Sequence, residues 1–135
     1  MSNTHHGSCL CGAVTYEVEG TFDSFFLCHC SYCRKDTGSA HAANLFSKSA
    51  KLRWLTGEDQ ITSFTVPGTR HSKTFCKTCG SATPRAQIGG RLVVVPAGSL
   101  DSDLSQRPDA HIMMGSKADW DDNLHEVETT DGLPG

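Results

Sequence analysis

No apolar run in this sequence exceeds four residues, and Leu92-Val93-Val94-Val95 is one of that length. A membrane-spanning helix needs about 20 such residues in succession, so a helical span is excluded and 92–95 reads as a strand. Lys and Arg form no run beyond the pair Arg34-Lys35, the formal net charge is -3 and the sequence pI is about 6.1. An electrostatic grip on nucleic acid or an anionic membrane needs a concentrated basic surface, so neither is an expected partner. Residues 1–6 are polar and lead straight into a cysteine motif. With no apolar segment there to act as a secretory signal, the expected compartment is the cytoplasm.

Helical periodicity is scarce too. Only 31–37 and part of the tail around 116–120 have a pattern that a helix would accept. What the chain has instead is strand rhythm: Val14, Tyr16 and Val18 alternate with Thr15, Glu17 and Glu19, and Gly20 breaks the run. Further short strand candidates lie at 25–28, 41–46, 51–54, 60–64, 71–75 and 92–95. Turn residues punctuate them at Gly20, Gly57, Pro67-Gly68, Gly80 and Gly89-Gly90. The expected architecture is mainly β, with at most one or two short helices. At 135 residues the chain suits one domain, residues 1–135, with the tail from about 121 loosely held.

Cysteine is the residue in excess. Seven occur in three groups: Cys9-Leu10-Cys11, Cys28-His29-Cys30-Ser31-Tyr32-Cys33, and Cys76-Lys77-Thr78-Cys79-Gly80. An odd number, tight spacings and no secretory signal argue for metal thiolates over a disulfide framework. Residues two apart in a strand face one way, so each Cys-x-Cys pair can direct both sulfurs at one ion. Cys76 and Cys79, with the glycine that follows, have the spacing of a zinc knuckle.

Structural zinc takes four protein ligands, and reactive zinc keeps three and an exchangeable position. Seven cysteines divide naturally into Cys9, Cys11, Cys76 and Cys79 for a closed site, and Cys28, Cys30 and Cys33 for an open one. The rival division closes the central trio with a histidine, and a Cys-x-x-Cys can also be a redox pair. His29 speaks against that rival, because between Cys28 and Cys30 its ring would face away from the ion they share. His5 and His6 fall in a terminus expected to be mobile, and His41, His71, His111 and His125 have no ligand-like spacing.

Three thiolates donate strongly and leave zinc a poor Lewis acid, so water activation is not the expected chemistry. Soft ligation suits a sulfur in the fourth position, held as a nucleophilic thiolate, so a thiol substrate is expected. Arg34 and Lys35 follow the trio directly. They are candidate contacts for a substrate carboxylate, with a solvated polar turn as the alternative. Phe25, Phe26, Phe46 and Trp54 can wall a pocket or fill a core.

The stretches Gly7-Ser8-Cys9-Leu10-Cys11-Gly12-Ala13-Val14, Cys28-His29-Cys30-Ser31-Tyr32-Cys33-Arg34 and Phe75-Cys76-Lys77-Thr78-Cys79-Gly80 together resemble the family of glutathione-dependent formaldehyde-activating enzymes, which also includes centromere protein V. The resemblance continues through Ala97-Gly98-Ser99-Leu100-Asp101 to Pro108, His111, Ile112 and Trp120. It implies an Mss4-like zinc-stabilised antiparallel β fold with two Zn2+ per chain, the outer four cysteines on a structural ion and the central three on a catalytic one. The implied activity is carbon-sulfur lyase chemistry that joins glutathione to formaldehyde as S-hydroxymethylglutathione, and the reverse. The partners it implies are a small-molecule thiol and a small aldehyde. A non-catalytic β module that binds a protein, or a redox or zinc-buffering protein, is the competing reading of the same cysteines.

Overall fold

A computed structural model describes residues 3–135; residues 1 and 2 lie outside the described residues. Among the described residues, ten strands and one α-helix follow one another. They are β1 (Thr4–Ser8), β2 (Thr15–Glu19), β3 (Ser24–Cys28), α1 (Ser31–Thr37), β4 (Ala42–Ser47), β5 (Lys51–Thr56), β6 (Ile61–Thr65), β7 (Ser72–Cys76), β8 (Arg85–Gln87), β9 (Leu92–Pro96) and β10 (Ala110–Ile112). Three sheets result, with orders β1-β2-β5, β10-β3-β4-β9-β8 and β6-β7. The fold is mainly β and its pairings are antiparallel, except that β10 runs parallel to β3.

The five-stranded sheet has two chemically different faces, because side chains alternate along each strand and directly paired residues share a face. Phe25 pairs with Leu45 and Leu45 with Val95, which sets one apolar row across three strands. All three are buried, and with Val93 they pack on Tyr16 and Val18 of the three-stranded sheet. This is the core. On the opposite face, Cys28 pairs with Ala42, Asn44 with Pro96, and Phe46 with Val94, which in turn pairs with Arg85. That face is covered by α1 and the β6-β7 hairpin and forms the wall of a cleft.

The alternation anticipated in β2 is present, with Tyr16 and Val18 buried and Glu19 exposed. Tyr16 lies across Gly7, its partner on β1, where a Cβ would meet the tyrosine oxygen at 2.2 Å. Glycine is therefore required for the ring to reach over the strand. The phenol then lies 2.5 Å from Ser99 Oγ, and burial pushes its pKa up to about 12.

Several expectations need correction. Residues 4–8 form β1 against β2, so His5 and His6 belong to a strand and not to a mobile terminus. Their polarity hid the strand, since β1 is an edge with one face against solvent. Strands β8 and β10, three residues each, have no periodicity long enough to read. Residues 116–120 form no helix; short 3-10 turns occur instead at Met114–Ser116 and Leu124–Glu126. The tail from 121 is mostly exposed, yet Asp121 reaches the buried His29.

Leu45 is fully buried at the centre of the apolar row. Leu45→Ala is expected to lower the unfolding free energy by about 2–5 kcal/mol, through lost transfer energy and the cavity left behind. Urea denaturation followed by tryptophan fluorescence checks this.

Candidate metal and thiol site

Two turns of related construction bring the outer cysteines together. After β1 the chain turns at Cys9, where Gly12 N–H donates to the Cys9 carbonyl at 3.1 Å and Cys9 N–H to the Val14 carbonyl at 3.0 Å. After β7 it turns at Cys76, with Gly80 N–H donating to the Cys76 carbonyl at 2.7 Å and Cys76 N–H to the Ser81 carbonyl at 3.0 Å. Gly80 has φ 78°, the left-handed conformation that glycine adopts without a Cβ clash. The backbone N–H of Leu10 donates to Ser81 Oγ at 2.9 Å and ties one turn to the other.

The four sulfurs lie within 4.8 Å of one another, with Cys9 to Cys11 at 3.6 Å and Cys11 to Cys76 at 3.9 Å. Tetrahedral zinc with Zn–S near 2.3 Å sets its sulfurs about 3.8 Å apart. The donor set fits. Hydrogen bonding from the Ser81 side chain and then its backbone brings the Cys79 thiol down to about 5, into the thiolate form that a metal takes.

The central trio arises where β3 passes into α1. Cys28 ends the strand, Cys30 is the N-cap whose sulfur accepts from Cys33 N–H at 3.3 Å, and Cys33 is buried in the first helical turn. Cys30 thus belongs to the helix cap, not to a strand face shared with Cys28. The three sulfurs still come within 4.8 Å of one another, and this second group can also hold a metal. Burial opposes ionisation of Cys30, but the backbone N–H of Cys33 and the neighbouring thiols outweigh it and lower its pKa. Burial pushes the Cys33 thiol up.

His29 turns away from the trio, as its position between two cysteines predicts. Its buried ring has Nε2 at 2.9 Å from His111 Nδ1 and Nδ1 at 3.0 Å from Asp121 Oδ2, and the His41 ring packs 5.1 Å away. Burial, and then His29 and His111, hold the His41 pKa down. Among the described residues, no histidine joins either cysteine group.

Cys28 and Cys33 open on a cleft of about 190 Å³ walled by Asn44, Phe46, Lys73 and Arg85. Asp36 spans its rim, bonded to His71 Nε2 at 3.1 Å and Lys73 Nζ at 3.0 Å, which joins α1 to β7. A second, more apolar cleft of about 230 Å³ shares Asp36, His71 and Lys73 and continues to Tyr32, Phe64 and Val66. Of the aromatic candidates, Phe46 walls the cleft, Phe25 is core, and Trp54 packs on Tyr16 at 6.1 Å. Phe26 stacks on Phe46 at 6.0 Å.

Arg34 and Lys35 do not reach the trio's cleft. The Arg34 Nε donates to the Ser116 carbonyl at 3.1 Å, and Lys35 lines the second cleft. Helical geometry turns both away from the wall that Cys33 faces. Lys73 and Arg85, the cations beside the trio, escaped the sequence because they sit 40 and more residues further on and carry no motif.

A model of the family described as glutathione-dependent formaldehyde-activating enzyme matches residues 4–116. The chain belongs to this family. A Halomonas elongata protein named "Putative glutathione-dependent formaldehyde-activating enzyme" is 36% identical over 127 residues, covering 84% of this chain and 77% of the relative. The crystal structure of a Rhodobacter sphaeroides protein superposes with a TM-score of 0.60 at 25% identity, covering 78% of this chain and 98% of that one. All seven cysteines of this family member lie within the matched residues and are free of disulfides. Among the described residues, no helix is long and apolar enough to cross a membrane.

The Asp36 bridge is the link that keeps the helix bearing Cys33 against the hairpin. Asp36→Ala, which removes both ion pairs, is expected to lower stability by about 1.5–3 kcal/mol in urea denaturation, the range for hydrogen bonds to charged groups.

Proposed function

We propose that this family member is a zinc-dependent carbon-sulfur lyase that adds a glutathione-type thiol to formaldehyde and reverses the addition. The observation that carries the reading is the trio itself: three thiols converge, two of them opening on a cleft, and among the described residues no fourth cysteine or histidine joins their group. The four outer cysteines form the closed counterpart, so the full complement is two Zn2+ per chain, one structural and one in the cleft. A zinc ion held by the three thiolates would supply soft Lewis acidity that favours the deprotonated form of a thiol at neutral pH.

The chain's own residues do the rest. Cys28, Cys30 and Cys33 would hold the metal, and the β3-α1 junction fixes their spacing through the Cys30 cap. Phe46 and Pro96 give the cleft apolar walls that limit water, and Asn44 adds a polar group to orient an oxygen. In the reaction the sulfur lone pair forms the new C–S bond and the carbonyl π pair moves to oxygen. The proton lost by the thiol ends on that oxygen. Atoms and charge balance without an oxidant, and the reverse steps regenerate thiol and aldehyde. Seven reduced cysteines suit a reducing compartment, which supports a cytoplasmic location.

Cys30→Ser tests the division directly. Elemental analysis is expected to give about two zincs per chain in the wild type and about one in the variant, with the fold retained. Exchange among glutathione, formaldehyde and their adduct, measured by NMR, is expected to exceed the uncatalysed rate in the wild type only. Equal background rates in both proteins would overturn the proposal.

A further inference from the structure

The cation that matters most beside the trio is one that no sequence motif marks. Arg85 lies on β8 opposite Val94, and Val94 lies opposite Phe46. This register puts Arg85 on the same sheet face as Asn44 and Cys28, across an apolar floor made by Phe46. Its Nε is shielded from solvent and has no hydrogen-bond partner. Among the described residues, no carboxylate pairs with its guanidinium. The acid at the rim, Asp36, is already engaged by His71 and Lys73.

An arginine Nε shut off from solvent without a partner carries a desolvation cost. Burial lowers the Arg85 pKa against the opposing influence of Asp36 and Cys33. Such a group persists where an anion completes it during function. The planar fork of arginine takes a carboxylate through two parallel hydrogen bonds, which a lysine ammonium cannot reproduce. The same cleft therefore offers sulfur ligands and an arginine with no carboxylate partner among the described residues.

We infer that Arg85 is the residue that recognises a carboxylate of the thiol substrate, and so selects a carboxylate-bearing thiol over a neutral one. This rests on the reading of the cleft as a thiol site. It moves substrate recognition from the helix that follows the trio to the far edge of the sheet. The competing role for Arg85 is to offset the charge of the thiolate trio, which would affect every thiol alike.

Calorimetric titration of the zinc-loaded full chain with glutathione and with glutathione diethyl ester separates the two roles. The wild type is expected to bind glutathione more tightly than the diester. Arg85→Ala is expected to weaken glutathione about 10- to 100-fold, as for loss of a charge-assisted hydrogen bond, while diester affinity stays within about twofold. Arg85→Lys, which keeps the charge, is expected to restore only part of the loss, with zinc content unchanged in both variants. Equal weakening of both ligands, full recovery in Arg85→Lys, or an unchanged glutathione affinity in Arg85→Ala would each overturn the inference. Arg85-dependent glutathione binding in a wild type that does not accelerate addition would uphold the carboxylate site and sink the proposed lyase. Acceleration that is intact in Arg85→Ala with an unchanged KM for glutathione would do the reverse.

Discussion

The wall of the cleft beside the cysteine trio depends on the two-sidedness of the five-stranded sheet. Strand geometry sends successive side chains to opposite faces. Phe25, Leu45 and Val95 therefore go to the core, and their neighbours Asn44, Phe46 and Pro96 go to the cleft. A one-residue slip between β3 and β4 would exchange the two sets. The buried apolar row resists that slip, so the packing that stabilises the protein also fixes the register that brings Cys28 and Arg85 to one surface.

Cysteine spacing contributes the second level of order. The outer turns hold four sulfurs at spacings that suit one tetrahedral ion, and they join residues 9–11 to residues 76–79. Four thiolates this close would repel one another strongly without a cation among them. The inner trio differs because it sits at a strand-to-helix junction, where Cys33 is buried and Asp36 braces the helix against β7. The outer group has four candidate ligands and the inner group three, of which Cys28 and Cys33 line the cleft beside Lys73 and Arg85.

Much of this was legible from local pattern. The alternation of β2, the bounds of α1 and the grouping of the cysteines all follow from residues within a few positions of one another. His29 does turn away from the trio, toward His111 and Asp121, although Cys30 caps the helix and does not continue the strand face of Cys28. Strand β1 was obscured by polar residues on an edge, and β8 and β10 are too short to carry a period. Arg34 and Lys35 drew attention by adjacency to the trio, but sequence adjacency on a helix turns side chains in different directions.

By itself, the sequence determined which residues can ligate, how they divide into four and three, and that the scaffold is built from short strands. Those properties are local, set by residue type and spacing. Tertiary structure alone decided which cations share the trio's cleft. Lys73 and Arg85 reach it through strand β7 and the β4-β9-β8 pairing, and pairing between distant strands is settled by how the whole core packs.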